Sequence, residues 1–308
     1  MTDFLNAELH CHNVYSNCKN QPYRMPFDSG VSIGQMLDSA LKEKIDVLFV
    51  TNHDTLNGYN EILDYQQNHR KYYNIKIYPA EEITIDNRGH VLAYGINKTV
   101  KPGMTLGETL DEIKLQNGVS CAAHPFAVSN GIRGKANMCD LMESFNSNNI
   151  DIFSNVIAKE FAEINKMFTI AGSDSHVSST MGRCINTIES ENNLDSIIDI
   201  LRNGRSKIHI TNYATTKEIY EHLYYMLTSS SESILNYVSE YHPRAYHIVN
   251  WALASFSANP NSAFWNTLAS LALYLTRRVS KKVNIGGSSP EIFQNRSWKR
   301  LLSLAIVP

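Results

Sequence analysis

Six of the eleven histidines in this chain stand in five short segments, three of which also carry carboxylates. These are His10-Cys11-His12, Asn52-His53-Asp54, Glu81-Glu82 followed by Gly89-His90, Ala123-His124-Pro125, and Gly172-Ser173-Asp174-Ser175-His176. Each follows an apolar, strand-like run, so folding collects these side chains at strand ends. Imidazoles and carboxylates without a cysteine pair suit Mn, Zn or Fe better than Ca or Cu(I). Such a set lowers the pKa of bound water and drives hydrolysis.

The local chemistry narrows which groups converge. His10 and His12 are two residues apart in extended chain and therefore share a face, while Cys11 faces the other way and is not counted as a ligand. His53 and Asp54 fall on the loop after Val47–Thr51. Asp54 either orients an imidazole through its second nitrogen or caps a helix starting near Thr55. Only one of Glu81 and Glu82 can face the cluster, and alternation alone does not say which. The turn at 86–89, with Gly89 able to supply a positive φ, returns His90 close to one of them. Pro125 predicts an extended His124. Asp174 and His176 share a face, and Gly172 permits close backbone approach. His69, His209, His222, His242 and His247 lie in helical or loop contexts and are read as ordinary structural residues.

The elements that must position these groups alternate. Strands are expected at Ala7–His12, Val47–Thr51, Ile75–Pro79, Val91–Ile96, Val119–Ala123, Leu141–Phe145, Thr169–Ala171 and Cys184–Thr187. Helical spacing marks Ile33–Lys44, Gly58–Asn68, Thr105–Gln116, Asn155–Met167 and Leu194–Asn203, the last closed by Gly204. Such alternation implies a parallel sheet covered by helices, open or closed as a barrel, with chemistry at the strand carboxyl ends. After Tyr213 the pattern is helical throughout, over Thr216–Leu227, Ser233–Tyr241, Ala245–Ser255 and Ser262–Lys281. The interrupted apolar run Phe264–Leu275 predicts a buried core helix. Residues 286–290, Gly-Gly-Ser-Ser-Pro, read as a linker or loop. The expected organisation is a domain over 1–212 and an all-helical one over 213–308.

Composition bounds the partners. The chain has 308 residues, 28 Lys+Arg against 30 Asp+Glu and a net charge of −2, so no global field draws it onto a phosphate polymer. The start MTDFLNAELH lacks a signal peptide's basic and apolar regions, and no run reaches the ~18–20 apolar residues of a span. A cytoplasmic protein without a membrane partner is expected. Cys11, Cys18, Cys121, Cys139 and Cys184 are scattered and read as reduced thiols.

Taken in order, the segments resemble the motifs of the polymerase and histidinol phosphatase (PHP) family of metal-dependent phosphoesterases. Glu8-Leu9-His10-Cys11-His12-Asn13-Val14-Tyr15-Ser16 is similar to its first motif and Thr51-Asn52-His53-Asp54-Thr55 to its second. Ala80-Glu81-Glu82-Ile83 with Gly89-His90-Val91-Leu92-Ala93-Tyr94, Ala123-His124-Pro125, and Gly172-Ser173-Asp174-Ser175-His176 follow. The likeness covers roughly residues 1–212. It implies a distorted (β/α)7 barrel of TIM-like kind and selects Glu82 over Glu81. It further implies one ion on His10, His12, Glu82 and Asp174, a second on Glu82, His90 and His124, and a third on His53 and His176. Many relatives complete the third site with an aspartate where this chain has Asn17, and Asn52 also replaces a common aspartate. Two or three divalent ions are thus expected, with Asn17 as the uncertain ligand. The implied activity is hydrolysis of a phosphoester by a metal-bridged hydroxide, by a phosphatase or exonuclease. The expected substrate is a phosphorylated small molecule, a nucleotide or an oligonucleotide end. Arg183 would clamp a phosphate oxygen or else pair with a surface carboxylate. The competing reading is a non-catalytic scaffold that binds a partner through its helical tail.

Overall fold

The computed structural model describes residues 3–17, 26–86 and 88–287, so Cys18 and the end of the 286–290 linker lie outside the described residues. Among the described residues, nine strands form one sheet: β1 (Asp3–Glu8), β2 (Val47–Val50), β3 (Lys76–Thr84), β4 (His90–Tyr94), β5 (Val119–Ala122), β6 (Leu141–Asn146), β7 (Phe168–Gly172), β8 (Cys184–Ser190) and β9 (Lys207–Thr211). Their order is β7-β6-β5-β4-β3-β2-β1-β8-β9. β7 at one end also lies against β8 and β9 at the other, giving a nearly closed barrel.

The sheet is mixed, which corrects the all-parallel expectation. β1, β2 and β3 run parallel, as do β5, β6 and β7. β4 is antiparallel to β3 and β5, and β8 to β1 and β9. The connection from Thr84 to His90 is too short for a parallel crossover, which needs about a dozen residues. β9 has no counterpart among the expected strands, because its short Lys-Ile-His-Ile-Thr run is almost wholly exposed.

Helices α1 (Ile33–Lys42), α2 (Tyr59–Gln67), α3 (Leu106–Leu115), α4 (Phe153–Asn165) and α5 (Leu194–Arg202) cover the sheet. α1 and α3 open with capping boxes, Ser32 with Gln35 and Thr105 with Glu108. The barrel interior is filled by Leu5, Ala7, Leu9, Phe49, Leu92, Tyr94 and Ile170, against which α5 packs Ile197, Ile198 and Leu201. This apolar fill leaves the strand carboxyl ends as the place for polar groups.

Beyond the barrel run α6 (Thr216–Ser229), α7 (Ser231–Tyr241), α8 (Tyr246–Ala258) and α9 (Ala263–Asn284). α9 docks on the barrel through its last turns, where Val279 and Val283 are buried and the Ser280 hydroxyl donates to Asp151 at 2.7 Å. Its first turns do not form the buried core helix expected over Phe264–Leu275. Phe264 is 58% exposed and Tyr274 56%, because the barrel supports only the far end of the helix. Among the described residues, no helix is long and apolar enough to cross a membrane.

Candidate metal centre

β1 ends at Glu8, and the chain continues extended past it, with Cys11 bridged to Ser175 and His53 to Glu82. These contacts draw the ends of β1, β2, β3 and β7 together. Three overlapping groups result: His10, His12, Glu82 and Asp174; His53, Glu82 and His90; and His12, Asp28, His53 and His176. Within each, one ligand atom per residue lies within 4.8 Å of the others. His124 reaches the same carboxylate, its Nε2 3.0 Å from Glu82 Oε1. Glu82 is the glutamate in the cluster. Glu81 faces the opposite side of the strand, where it accepts the Val100 N–H.

The imidazoles are oriented by what they do with their other nitrogen. His10 Nδ1–H donates to Glu143 at 2.7 Å and His12 Nδ1–H to the Ser16 hydroxyl at 2.9 Å. This turns both Nε2 atoms inward, the arrangement that fixes a metal-ligating histidine. Ser16 in turn donates to Asn52, whose amide oxygen also accepts the Asn13 N–H. A neutral amide thus fills the acceptor role at a position where an aspartate is common. Glu143 is buried on β6, and its second oxygen accepts the His124 N–H and the Asn146 amide.

Four buried atoms face one another without a hydrogen bond: His10 Nε2, His12 Nε2, His53 Nδ1 and Glu82 Oε2. The three nitrogens stand 3.1–3.4 Å from Glu82 Oε2. Unpaired buried polar atoms are costly, so a convergent set is explained by a cation that they would share. Burial opposes charge on His10, yet Glu143, Asp174 and Glu82 raise its pKa well above the ordinary value. Burial likewise opposes the Glu82 carboxylate, but His90 and His10 hold it well below its usual range. His176 is lifted to about 9, the Asp28 carboxylate outweighing desolvation. The donor set, imidazoles and carboxylates converging on one buried space, fits divalent ions.

Several expected roles are revised. Asn17 does not point a free amide at the cluster. Its oxygen accepts the N–H groups of Asp28 and Ser29, and its nitrogen donates to Ser29 O and to Tyr225 Oη. The carboxylate beside His53 and His176 is Asp28 instead, 3.0 Å from His176 Nε2. Asp54 does not cap α2, whose N-cap is Gly58; it accepts the Thr84 N–H and hydroxyl and so fastens the end of β3. Arg183 is turned to Glu218 on α6 rather than into the cluster. His124 is not extended but has φ +27°, held by its N–H bond to Glu143, and the positive φ in the β3–β4 turn falls on Arg88 rather than Gly89. Asp54 and Asp174 also occupy the left-handed region, with φ +54° and +49°. Such residues cost free energy and persist only where their surroundings fix them. Cys11 is buried away from the ligands, as alternation requires, and Cys121, Cys139 and Cys184 are buried free thiols.

Asp28, Glu143 and His222 were not legible as site residues. Asp28 lies in a loop without a strand signal, Glu143 looks like the polar face of an alternating strand, and His222 belongs to the helical tail. His222 stacks on His176 with ring centroids 4.7 Å apart. Burial, then the neighbouring His176, lowers its pKa to about 4.

Comparison with known proteins agrees with the motif resemblance. Residues 153–206 match the family model described as PHP-associated. An uncharacterised protein of Methanocaldococcus jannaschii is 27% identical over 124 residues, 40% of this chain and 69% of that protein. PsfC from Pseudomonas syringae PB-5123 superposes with a TM-score of 0.51 at 16% identity, over 73% of this chain and 98% of its own. The lesion-specific endonuclease Q of Pyrococcus furiosus aligns at TM-score 0.47 and 16% identity, over 67% of this chain and 58% of that one.

Proposed function

We propose that this PHP-like chain is a metal-dependent hydrolase of phosphoesters, with nucleotides or oligonucleotide ends as its substrates. The observation that carries the reading is the convergence of His10 Nε2, His12 Nε2, His53 Nδ1 and Glu82 Oε2 in a buried site without hydrogen bonds among them. Bound Mn, Zn or Fe would lower the pKa of a water and neutralise phosphoryl charge.

The assignment implied by the motif resemblance is compatible with these groups: His10, His12, Glu82 and Asp174 would hold one ion, Glu82, His90 and His124 a second, and His53 and His176, with Asp28, a third. His90 and Asp28, each 13% exposed at the side chain against 5% or less for His10, His12 and His124, are the more open ligands to which a phosphoryl group would come. The outer carboxylates and hydroxyls, Glu143, Ser16 and Asp54, orient ligands and strand ends. A scaffold reading would be favoured by several missing ligands; here only Asn17 departs from the expected set, and Asp28 brings a carboxylate to the same group.

The test is hydrolysis by Mn-loaded protein across a phosphomonoester, a bisphosphonucleotide and an oligonucleotide panel. Activity should fall by at least about two orders of magnitude in His10→Ala and Asp174→Ala, the scale of losing a principal electrostatic contributor. A fully metallated protein inert towards every phosphoester would sink the proposal.

A further inference from the structure

α6 belongs to the helical tail, outside the stretch that carries the motif resemblance, yet one of its faces lies on the outermost metal group. His222 Nε2–H donates to the carbonyl of Asp28 at 2.7 Å. Its ring covers His176. Tyr225, three residues on and therefore on the same helical face, accepts the Asn17 amide N–H at 3.1 Å. The Tyr225 ring also lies close against the loop: a Cβ added to Gly30 would come within 2.8 Å of it. From below, Asn17 accepts the N–H groups of Asp28 at 2.6 Å and Ser29 at 3.0 Å, and Ser29 reaches His176 O through its hydroxyl. One turn earlier on α6, Glu218 binds Arg183 and closes the capping box with Thr215, which fixes the helix to the barrel.

We infer that α6 is a clamp in which His222 and Tyr225 are positioning residues: they hold the Asp28 carboxylate against His53 and His176, so the outermost cation depends on the helical tail. A loop carrying one ligand otherwise loses its conformational freedom only when the ion binds, and pre-ordering removes that cost. The clamp also explains how a chain with Asn17 at the usual aspartate position still presents a carboxylate there. The amide is used to seat a ligand borne eleven residues further on. This inference rests on the metal-dependent reading above and extends it to the tail.

The experiment uses the full chain without substrate. Mn is removed, then titrated back, with stoichiometry read by elemental analysis and affinity by calorimetry. Asp28→Asn should lose one ion. His222→Ala should weaken that same ion by about tenfold, the usual scale for an outer partner of a ligand, and leave the tighter ions unchanged. Tyr225→Phe keeps the ring and should weaken it less. His222→Gln, which can donate the same hydrogen bond, should recover part of the loss. Wild-type affinity for every ion in both His222→Ala and Tyr225→Phe overturns the clamp and leaves the hydrolase reading standing. Equal weakening of all ions also overturns it, since that reports general loosening. A wild-type chain that binds no ion overturns both.

Discussion

Glu81 and Glu82 are identical neighbours placed in opposite surroundings. Glu82 is held ionised by imidazoles, whereas burial lifts Glu81 to about 8, with one oxygen on the Val100 N–H and the other lacking a hydrogen bond. Glu81 is therefore a neutral acid at pH 7 that the unfolded chain would ionise near 4.5. Between pH 4.5 and 8 the folded state binds the extra proton, so this group's contribution to stability falls as pH rises and levels off above 8. Glu81→Gln removes that titration. Its melting temperature relative to wild type should climb from pH 5 to pH 8, by an amount equivalent to about 2–4 kcal/mol at ~1.4 kcal/mol per pKa unit. A difference flat with pH would mean that Glu81 is ionised in the fold. Strand alternation could say that the two glutamates face apart, and the motif likeness chose Glu82. Nothing in the sequence announced that Glu81 would be a buried neutral acid, because that depends on which loop covers it.

At the scale of elements, the centre is made by strand ends that outrun their ladders. Motif order predicted these ends well, since each ligand segment follows a buried apolar run that has to become a strand. The expected helices also formed, because their apolar spacing and capping residues act locally. What crosses between elements was not legible: the antiparallel turn-back of β4, the edge strand β9, and the meeting of β6 with β7 under His10. Gly172 shows the last of these. A Cβ there would fall 1.7 Å from Glu143 Oε1 and 2.9 Å from His10 Cβ, so the absent side chain is the space that Glu143 occupies. Gly172→Ala should push Glu143 off His10 Nδ1, costing about 1–3 kcal/mol by overpacking and lowering metal affinity together with stability. Thermal melts of the metal-free protein and Mn titration would both have to shift. A variant that matched wild type in each would show that Glu143 can relocate without disturbing His10.

Across the whole molecule, the proposed ligands come from positions between His10 and His176 and from the ends of β1, β2, β3, β4, β5 and β7. The cations would therefore cross-link parts of the barrel that are far apart in sequence. The barrel core and its outer layers are built from buried apolar residues independent of the centre, so the metal-free chain should still fold. Its stability should nonetheless depend on metal, because ions that bind only the folded state stabilise it by mass action, about 2.7 kcal/mol at a hundredfold excess over Kd. The melting temperature of chelator-treated protein should rise with the logarithm of added Mn and keep rising past saturation. His10→Ala and Asp174→Ala should flatten that slope, as they remove ligands from the set that shares Glu82. A wild-type melting temperature indifferent to Mn would mean that the buried imidazoles and carboxylates satisfy one another by proton sharing alone. The difference between wild type and His10→Ala is diagnostic, since an exposed acidic surface that gathered Mn nonspecifically would raise both proteins equally.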